Sequence, residues 1–253
     1  MVYDIQKAGF WKRLSAWFLD VILFLVLSLG LVLLLTAVFD INSHYESFEA
    51  ISQRYEQEAG VSFELTQEEY DALTEEERKV LEDAYAKFAE DEKAIYAYNM
   101  LVNLSLLAAS LAIFLTYLLL EFAVPMLFGN GQTVGKKVFG IAVVRANGVK
   151  INGVCLFIRT ILGKYTFETM VPVMLAIMVF WGILGIVGPV VIGLMGLLQI
   201  VVMAVSRNHS AIHDLMANTV AVDLHSQMIF DSESELIDYK KRIHEDMANR
   251  SSY

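Results

Sequence analysis

The sequence predicts an all-α integral membrane protein with four transmembrane helices, on the basis of composition, charge distribution and the length of its apolar runs. Of its 253 residues, 56% are hydrophobic and 19% are charged, whereas soluble domains carry about 25% charged residues. The charges are nearly absent from three stretches and dense in the segments between them. This blockwise pattern is typical of membrane spans and not of one globular core.

The apolar runs place four spans at about residues 14–38, 99–120, 170–185 and 189–205. The first run of 25 residues covers about 37 Å as a helix, which is enough to cross the hydrocarbon with some tilt. It has no small-residue cleavage site, so we interpret it as a retained helix and not a signal peptide. Gly182, Gly185 and Pro189 interrupt the last apolar region and predict a tight helical hairpin there.

Orientation follows from the Lys and Arg residues of the short loops, which favour the cytoplasmic side. With four spans, all of these loops fall on one side, so both termini are expected in the cytoplasm. Segment 40–98 is then extracellular; it has 17 acidic and 5 basic residues. The basic residues that set this orientation are Lys7, Lys12, Arg13, Lys136, Lys137, Arg145, Lys150, Arg159, Lys164 and Arg207.

The acidic insertion, residues 40–98, is predicted to be helical. Thr66-x-x-Glu69 and Thr74-x-x-Glu77 are capping-box patterns. Neither Gly nor Pro occurs from Glu75 to Phe122, which predicts one continuous rod that extends the second span outward. A break near Glu92 is the alternative. A shorter helix over 43–58 is expected to pack against the rod.

The cytoplasmic segments predict a small β-structure and an interfacial helix. Residues 141–146 and 149–151 read as a β-hairpin around a type I′ turn at Asn147-Gly148, and 219–224 is another β-rich run. Segment 151–168 is apolar but carries Arg159, and a central arginine would cost a full span about 3 kcal/mol. We therefore expect this segment to lie at the membrane interface.

The predicted organisation is a membrane domain of residues 1–39 and 99–224, the insertion, and a cytoplasmic tail of 225–253. Cys155 is the single cysteine, which excludes an intrachain disulfide. The acidic residues are concentrated in one loop and the basic residues in other loops, which argues against a nucleic acid partner.

Three ionisable residues near the membrane boundary are the main candidates for function. Arg13 and Asp20 are seven residues apart in the first span and share a helix face. Asp214 follows His213 shortly after the fourth span. A carboxylate within a membrane costs several kcal/mol unless it is paired or hydrated, so such residues are functional candidates.

The glycine-rich loop between spans two and three is a weaker candidate. A phosphate-binding loop requires Ser or Thr after Gly-Lys, but Lys137 stands there. We interpret it as a hinged loop whose lysines meet anionic lipid; its residues are Gly131, Gln132, Thr133, Gly135 and Lys136. His209, His213 and Asp214 could share one helix face, but nothing nearby completes a metal site. No nucleophile arrangement is present either, so we expect no metal, no cofactor and no enzyme activity.

Three blocks of the sequence together resemble the RDD family of bacterial membrane proteins: Ala8–Arg13 with Asp20, Gly131–Lys136, and Ala211–Asp214 with Thr219. The resemblance implies that the arginine and two aspartates of the family's name are Arg13, Asp20 and Asp214. It also implies a bacterial cell membrane location and a role related to transport, since some members are implicated in exchanging monovalent cations for protons. The insertion departs from the family's short first loop.

Two function hypotheses follow. In the first, Asp20 or Asp214 alternates between a proton and a cation, with Arg13 adjusting the carboxyl pKa; four spans would then require a homo-oligomer. In the second, Arg13 neutralises both acids structurally, and the protein is a scaffold whose acidic insertion binds a protein partner. The predicted spans contain no further ionisable residue for a proton path, and Glu121 lies just beyond the second one.

Overall fold

The computed structural model describes residues 5–206 and 210–251 of the chain. These residues belong to two compact units, residues 1–27 with 114–253 (the first unit) and residues 28–113 (the second unit). Four helices are long and apolar enough to cross a membrane: α1 (Phe10–Val38), α5 (Glu92–Phe128), α7 (Gly153–Phe180) and α8 (Val187–Val205). The predicted class, a helical membrane protein with four spans, is confirmed.

The second unit contains the insertion, which folds into α2 (Ile41–Ala59), α3 (Gln67–Ala72) and α4 (Glu75–Glu90). Both predicted capping boxes are present. The Thr66 and Thr74 side chains accept from the backbone N–H three residues on, and the Glu69 and Glu77 carboxylates return the contact to the cap residue. Each box satisfies two backbone donors of its helix start, which explains why α3 and α4 begin where the sequence predicts.

The predicted continuous rod from Glu75 to Phe122 is wrong, and the alternative of a break near Glu92 is confirmed. α4 ends at Glu90, Asp91 has an extended backbone, and α5 begins at Glu92. The Asp91 carboxylate caps α5 by accepting from the Lys93 and Ala94 N–H groups at 2.8 and 3.3 Å. A capping aspartate can therefore end a helix without any glycine or proline.

The core of the second unit has an aromatic part and an aliphatic part. Phe48 and Tyr55 of α2 contact Phe88 of α4, with ring centroids 5.5 and 5.9 Å apart. This confirms the predicted packing of the shorter helix. Ala108 and Ala112 of α5 are buried against apolar residues of α1, and their small side chains allow the two helices to approach closely.

The first unit contains α6 (Val134–Val138), β1 (Ile141–Arg145), α9 (Ile212–Met216), β2 (Thr219–Asp223) and α10 (Glu233–Ser251). β1 and β2 pair antiparallel, with Val143 opposite Ala221, so the predicted small sheet is confirmed. The predicted hairpin differs, because residues 149–151 form no strand and contribute two isolated bridges, Val144 with Lys150 and Val149 with Phe230. The turn is not type I′, since Gly148 has a positive φ of 86° and Asn147 does not.

The third span is much longer than predicted. Residues 153–180 form one helix, so the stretch predicted as an interfacial helix over 151–168 is continuous with the span predicted from residue 170. Arg159 is only 3% exposed, because an acid from another element pairs with it. A paired arginine within the protein does not meet the lipid, so the cost that argued against this helix is largely removed.

Two spans contain π-helical segments, Tyr117–Ala123 in α5 and Ile158–Met170 in α7. A proline follows each segment closely, at Pro125 and Pro172. Proline cannot donate a backbone hydrogen bond, so wider turns before it are a local way to rearrange the bonding. These segments carry four of the charged residues described below: Glu121, Arg159, Lys164 and Glu168.

Short connections and the C-terminal segment complete the first unit. Gly182 and Gly185 have φ values of 72° and 49° and form the turn between α7 and α8, as predicted. The tail is not separate from the sheet, because Phe230 and Leu236 are buried against Val149. Residues 225–253 were predicted as a tail only, and the helix α10 within them was missed.

Candidate functional site

The Asp20 carboxylate on α1 binds the start of helix α6. Thr133 Oγ1 donates to Oδ2 at 2.5 Å, and the Gly135 N–H donates to Oδ1 at 2.7 Å. Lys136 Nζ lies 3.9 Å from Oδ2. The Thr133 hydroxyl also accepts from the Lys136 N–H as the helix cap. Thus the glycine-rich loop and Asp20, which the sequence presented as separate motifs, form one contact.

The glycine of this contact is required by close approach. A Cβ placed on Gly135 would overlap the carbonyl oxygen of Ala16 and lie 2.8 Å from Asp20 Oδ1. At Gly131, with φ of 60°, a Cβ would lie 2.9 Å from Ile151 Cγ2. Gln132 fixes the loop to the sheet by donating to the Ile141 carbonyl at 2.7 Å. These contacts give the loop motif a packing role that the sequence had not indicated.

Asp20 also borders a recess that a second acidic residue, Glu121, lines as well. We call it the Asp20 recess; its lining residues are Asp20, Leu23, Phe24, Leu120, Glu121 and Val134. Glu121 lies in the π-helical segment of α5 and accepts from Lys164 Nζ at 2.5 Å. Thr160 Oγ1 donates to the Glu121 carbonyl at 2.8 Å. Two acids from two spans, each near a lysine, therefore border one apolar recess.

Lys136 is the cation nearest to Asp20. Its side chain is 14% exposed. Burial, together with repulsion from Lys164, lowers the pKa of Lys136 to about 8, against the opposing attraction of Glu121 and Asp20. The Lys136 ammonium thus offsets part of the negative charge of Asp20 and also interacts electrostatically with Glu121.

Asp214 lies in a second group of charges, on α9. Arg159 Nε donates to Asp214 Oδ1 at 2.8 Å, and Thr219 Oγ1 donates to the same oxygen at 2.9 Å. Burial opposes ionisation of Asp214, but Arg159 and His213 outweigh it and hold the pKa of this carboxyl below its ordinary value. This is a closed and buried ion pair.

His213 joins α9 to α7 and α8. Its Nδ1 lies 2.8 Å from Glu168 Oε2, and its backbone N–H donates to Glu168 Oε1 at 3.0 Å. Gln199 of α8 donates to the same carboxylate at 3.2 Å. Burial lowers the pKa of His213, with Asp214 opposing. His213 Cβ and Cα pack directly on Gly163, where an added Cβ would lie 2.6 and 2.8 Å from them.

Arg13, Asp20 and Asp214 each have close contacts with residues outside the expected trio. Arg13 Nη2 donates to the Ala221 carbonyl of β2 at 2.7 Å. Asp20 has Lys136 as a cation within 4 Å, and Asp214 has Arg159. Each acid thus has a close cation that the sequence had not indicated, and Arg13 also interacts electrostatically with Asp214.

Sequence reasoning missed the polar residues of the third span. This span has polar residues at intervals of four, namely Thr160, Lys164 and Glu168, and Arg159 directly precedes the first of them. This spacing predicts one polar face on an apolar helix, and it could have been recognised had the helix been extended back to residue 153.

No group of three His, Cys, Asp or Glu residues that could hold a metal ion is found within residues 5–206 and 210–251. His209, which the sequence placed beside His213 and Asp214, lies outside the described residues.

The comparisons with known proteins give one result. A model of the RDD family matches residues 7–218, which is most of the chain. No curated protein and no solved structure matches the chain significantly. The match includes Arg13, Asp20 and Asp214 and passes through the insertion. This chain belongs to the RDD family.

Proposed function

We propose that this RDD family protein is a transport-related membrane protein that exchanges a monovalent cation for a proton, with Asp20 and Glu121 as the acids that take up either ion. The observation that carries the proposal is the presence of both carboxylates at one recess within membrane-spanning helices. Carboxylates inside a membrane are costly and mark ion pathways more often than they stabilise a fold.

The contacts of the two acids support this chemistry. Asp20 accepts from Thr133 and Gly135, which hold its carboxylate in one orientation. Glu121 is held by Lys164 and by its own backbone contact to Thr160. Carboxylate oxygens are suitable ligands for a small hard cation, and the same oxygens accept a proton when the cation leaves.

Further ionisable residues lie beyond the recess. The absence of other ionisable residues from the predicted spans therefore no longer counts against a proton path. Arg159, Lys164 and Glu168 all lie within α7, and Glu168 contacts His213. Four spans leave little room for alternating access in a single chain. The proposal therefore includes a homo-oligomer in a bacterial cell membrane.

The test is cation-driven proton flux in proteoliposomes, measured with an internal pH dye after Na⁺, Li⁺ or K⁺ addition. Asp20→Asn and Glu121→Gln should each abolish the flux, because a neutral amide is not protonated at these pH values and cannot neutralise the charge of a bound cation. Asp238→Asn, an exposed acid on α10, is the matched control and should keep wild-type flux. Each variant is first checked for wild-type elution and helicity.

Unchanged flux in Asp20→Asn and Glu121→Gln would contradict the proposal, as would absence of flux in the wild type. Either result would favour the second candidate, a scaffold. That candidate is supported by the folding of the acidic insertion around its own aromatic core in the second unit. Its partner would present a basic surface.

A further inference from the structure

His213 has a different kind of partner at each ring nitrogen, and this determines where its proton lies. Nδ1 lies 2.8 Å from Glu168 Oε2, and Nε2 lies 3.1 Å from Arg159 Nη2. A guanidinium can only donate hydrogen bonds, so Nε2 must accept from Arg159. The neutral ring therefore carries its proton on Nδ1 and donates it to Glu168.

A second proton on this ring has no place in the observed arrangement. It would have to bind at Nε2, where an N–H would face the N–H groups of Arg159. The nearest acceptor on that side is Asp214 Oδ2, 3.5 Å from Nε2. Protonated His213 would thus compete with Arg159 for Asp214. The charged groups that act on the ring are Asp214, Arg159, Glu168 and Lys164.

The same segment of α7 connects His213 to the Asp20 recess. Arg159 and Glu168 bind α9, whereas Thr160 and Lys164 bind Glu121. All four belong to one π-helical segment. π-helical turns are frequent at functional sites, and within this segment Thr160 directly follows Arg159 in the sequence.

We propose that neutral His213 is a positioning residue that holds Arg159 on Asp214, and that its protonation releases this segment of α7 and switches off exchange at the Asp20 recess. This regulation rests on the proposed function. A Cβ placed on Gly163 of α7 would lie 2.6 Å from His213 Cβ and 2.8 Å from His213 Cα, so the base of this side chain packs closely on α7 and leaves little room for rearrangement without moving that helix. Burial also lowers the pKa of His213, so the neutral ring is the native form near pH 7.

The first test compares cation-driven proton flux from pH 5 to 8 in the wild type, His213→Gln and the exposed control His244→Gln. Glutamine keeps one donor and one acceptor but cannot be protonated. Wild type and His244→Gln should lose flux as the pH falls below about 6.5, the ordinary histidine pKa, while His213→Gln should lose less. Coincident pH profiles for His213→Gln and wild type would overturn the inference.

The second test does not depend on transport. A buried histidine with a lowered pKa contributes stability above its unfolded pKa that is lost as the pH falls. The melting temperature of the detergent-solubilised wild type should therefore fall from pH 7 to 5 by more than that of His213→Gln. Equal falls would again contradict the inference. If the wild type shows no flux but this difference remains, the proposed function fails and the positioning role of His213 stands.

A direct measurement covers the case in which His213→Gln does not fold. The other four histidines are replaced by glutamine, and ¹⁵N-labelled histidine is observed by nuclear magnetic resonance. The expected spectrum is that of a ring protonated on Nδ1 which titrates below the ordinary range. A ring protonated on Nε2, or one titrating at the ordinary value, would overturn the inference.

Discussion

Single side chains in this protein are best understood through their partners. Asp20 and Asp214 are both acids of the family's name, but their environments differ. Asp20 caps a short helix and borders a recess, whereas Asp214 is enclosed by Arg159 and Thr219. A closed ion pair fixes the relative position of two elements, and an acid at a recess can exchange its partner. The two aspartates are thus expected to have different roles.

At this scale, Gly135→Ala should destabilise the protein because its Cβ would overlap the carbonyl oxygen of Ala16. Forcing an extra methyl group into a close-packed contact costs about 1–3 kcal/mol, and here it also displaces the N–H that binds Asp20. We expect the melting temperature in detergent to be lower than that of the wild type. Tryptophan fluorescence measured during heating gives this melting temperature.

The control for this prediction is Gly153→Ala. A Cβ there would have Met126 Cε as its neighbour at 3.9 Å, an ordinary contact. The variant should melt like the wild type. Equal melting of Gly135→Ala and wild type would show that α1 and α6 separate easily at this point.

Among the elements, the boundary between α4 and α5 shows how one side chain shapes the insertion. Asp91 caps α5 and also binds α2, accepting from Arg54 Nη2 at 3.0 Å and from Tyr55 Oη at 3.1 Å. The hydrogen bond from the Lys93 N–H is the main reason that the pKa of Asp91 is lowered. The carboxylate therefore acts both as a helix cap and as a connection between two helices of the second unit.

Asp91→Ala should lower the stability of the insertion. It should also allow α4 and α5 to join into the single continuous helix that their residue types favour. In the wild type, a depressed carboxyl pKa gives stability that is present above the unfolded pKa of about 3.9 and is lost as the pH falls through the folded value. The measurement is hydrogen exchange of the 40–98 peptides at pH 7 and at pH 3.5.

We expect faster exchange in Asp91→Ala at pH 7 and a smaller difference between variant and wild type at pH 3.5. Asp83→Ala, an exposed position on α4, serves as the control and should match the wild type. Slower or unchanged exchange in Asp91→Ala would mean that the cap is dispensable.

At the level of the whole molecule, the orientation in the membrane is the property on which the function hypotheses depend. The excess of Lys and Arg in the short loops predicts cytoplasmic termini and an extracellular insertion. Glu82 in the insertion and Asp246 on α10 are both exposed, so they are suitable reporters for the two sides.

In a Cys155→Ser background, a membrane-impermeant maleimide should label Glu82→Cys in intact cells. Asp246→Cys should be labelled only after permeabilisation. Cys155→Ser alone gives the background signal. Labelling of Asp246→Cys in intact cells would reverse the orientation and move the insertion to the cytoplasm.

Much of the architecture could be predicted because its causes are local. The span count follows from apolar length, the two capping boxes from residues three apart, and the hairpin turn from Gly182 and Gly185. Span boundaries were less accurate. Arg159 suggested an interface, because the cost of a charge in lipid depends on a partner that local sequence does not reveal.

By itself, the sequence determined that this is a four-span membrane protein of the RDD type with a helical acidic insertion, since periodicity, composition and short motifs act over a few residues. Only the tertiary structure decided which charges meet. Asp20 is 113 residues from Thr133, and Arg159 is 55 residues from Asp214. Such pairs form only when packing brings distant segments together, and burial then makes each pairing energetically necessary.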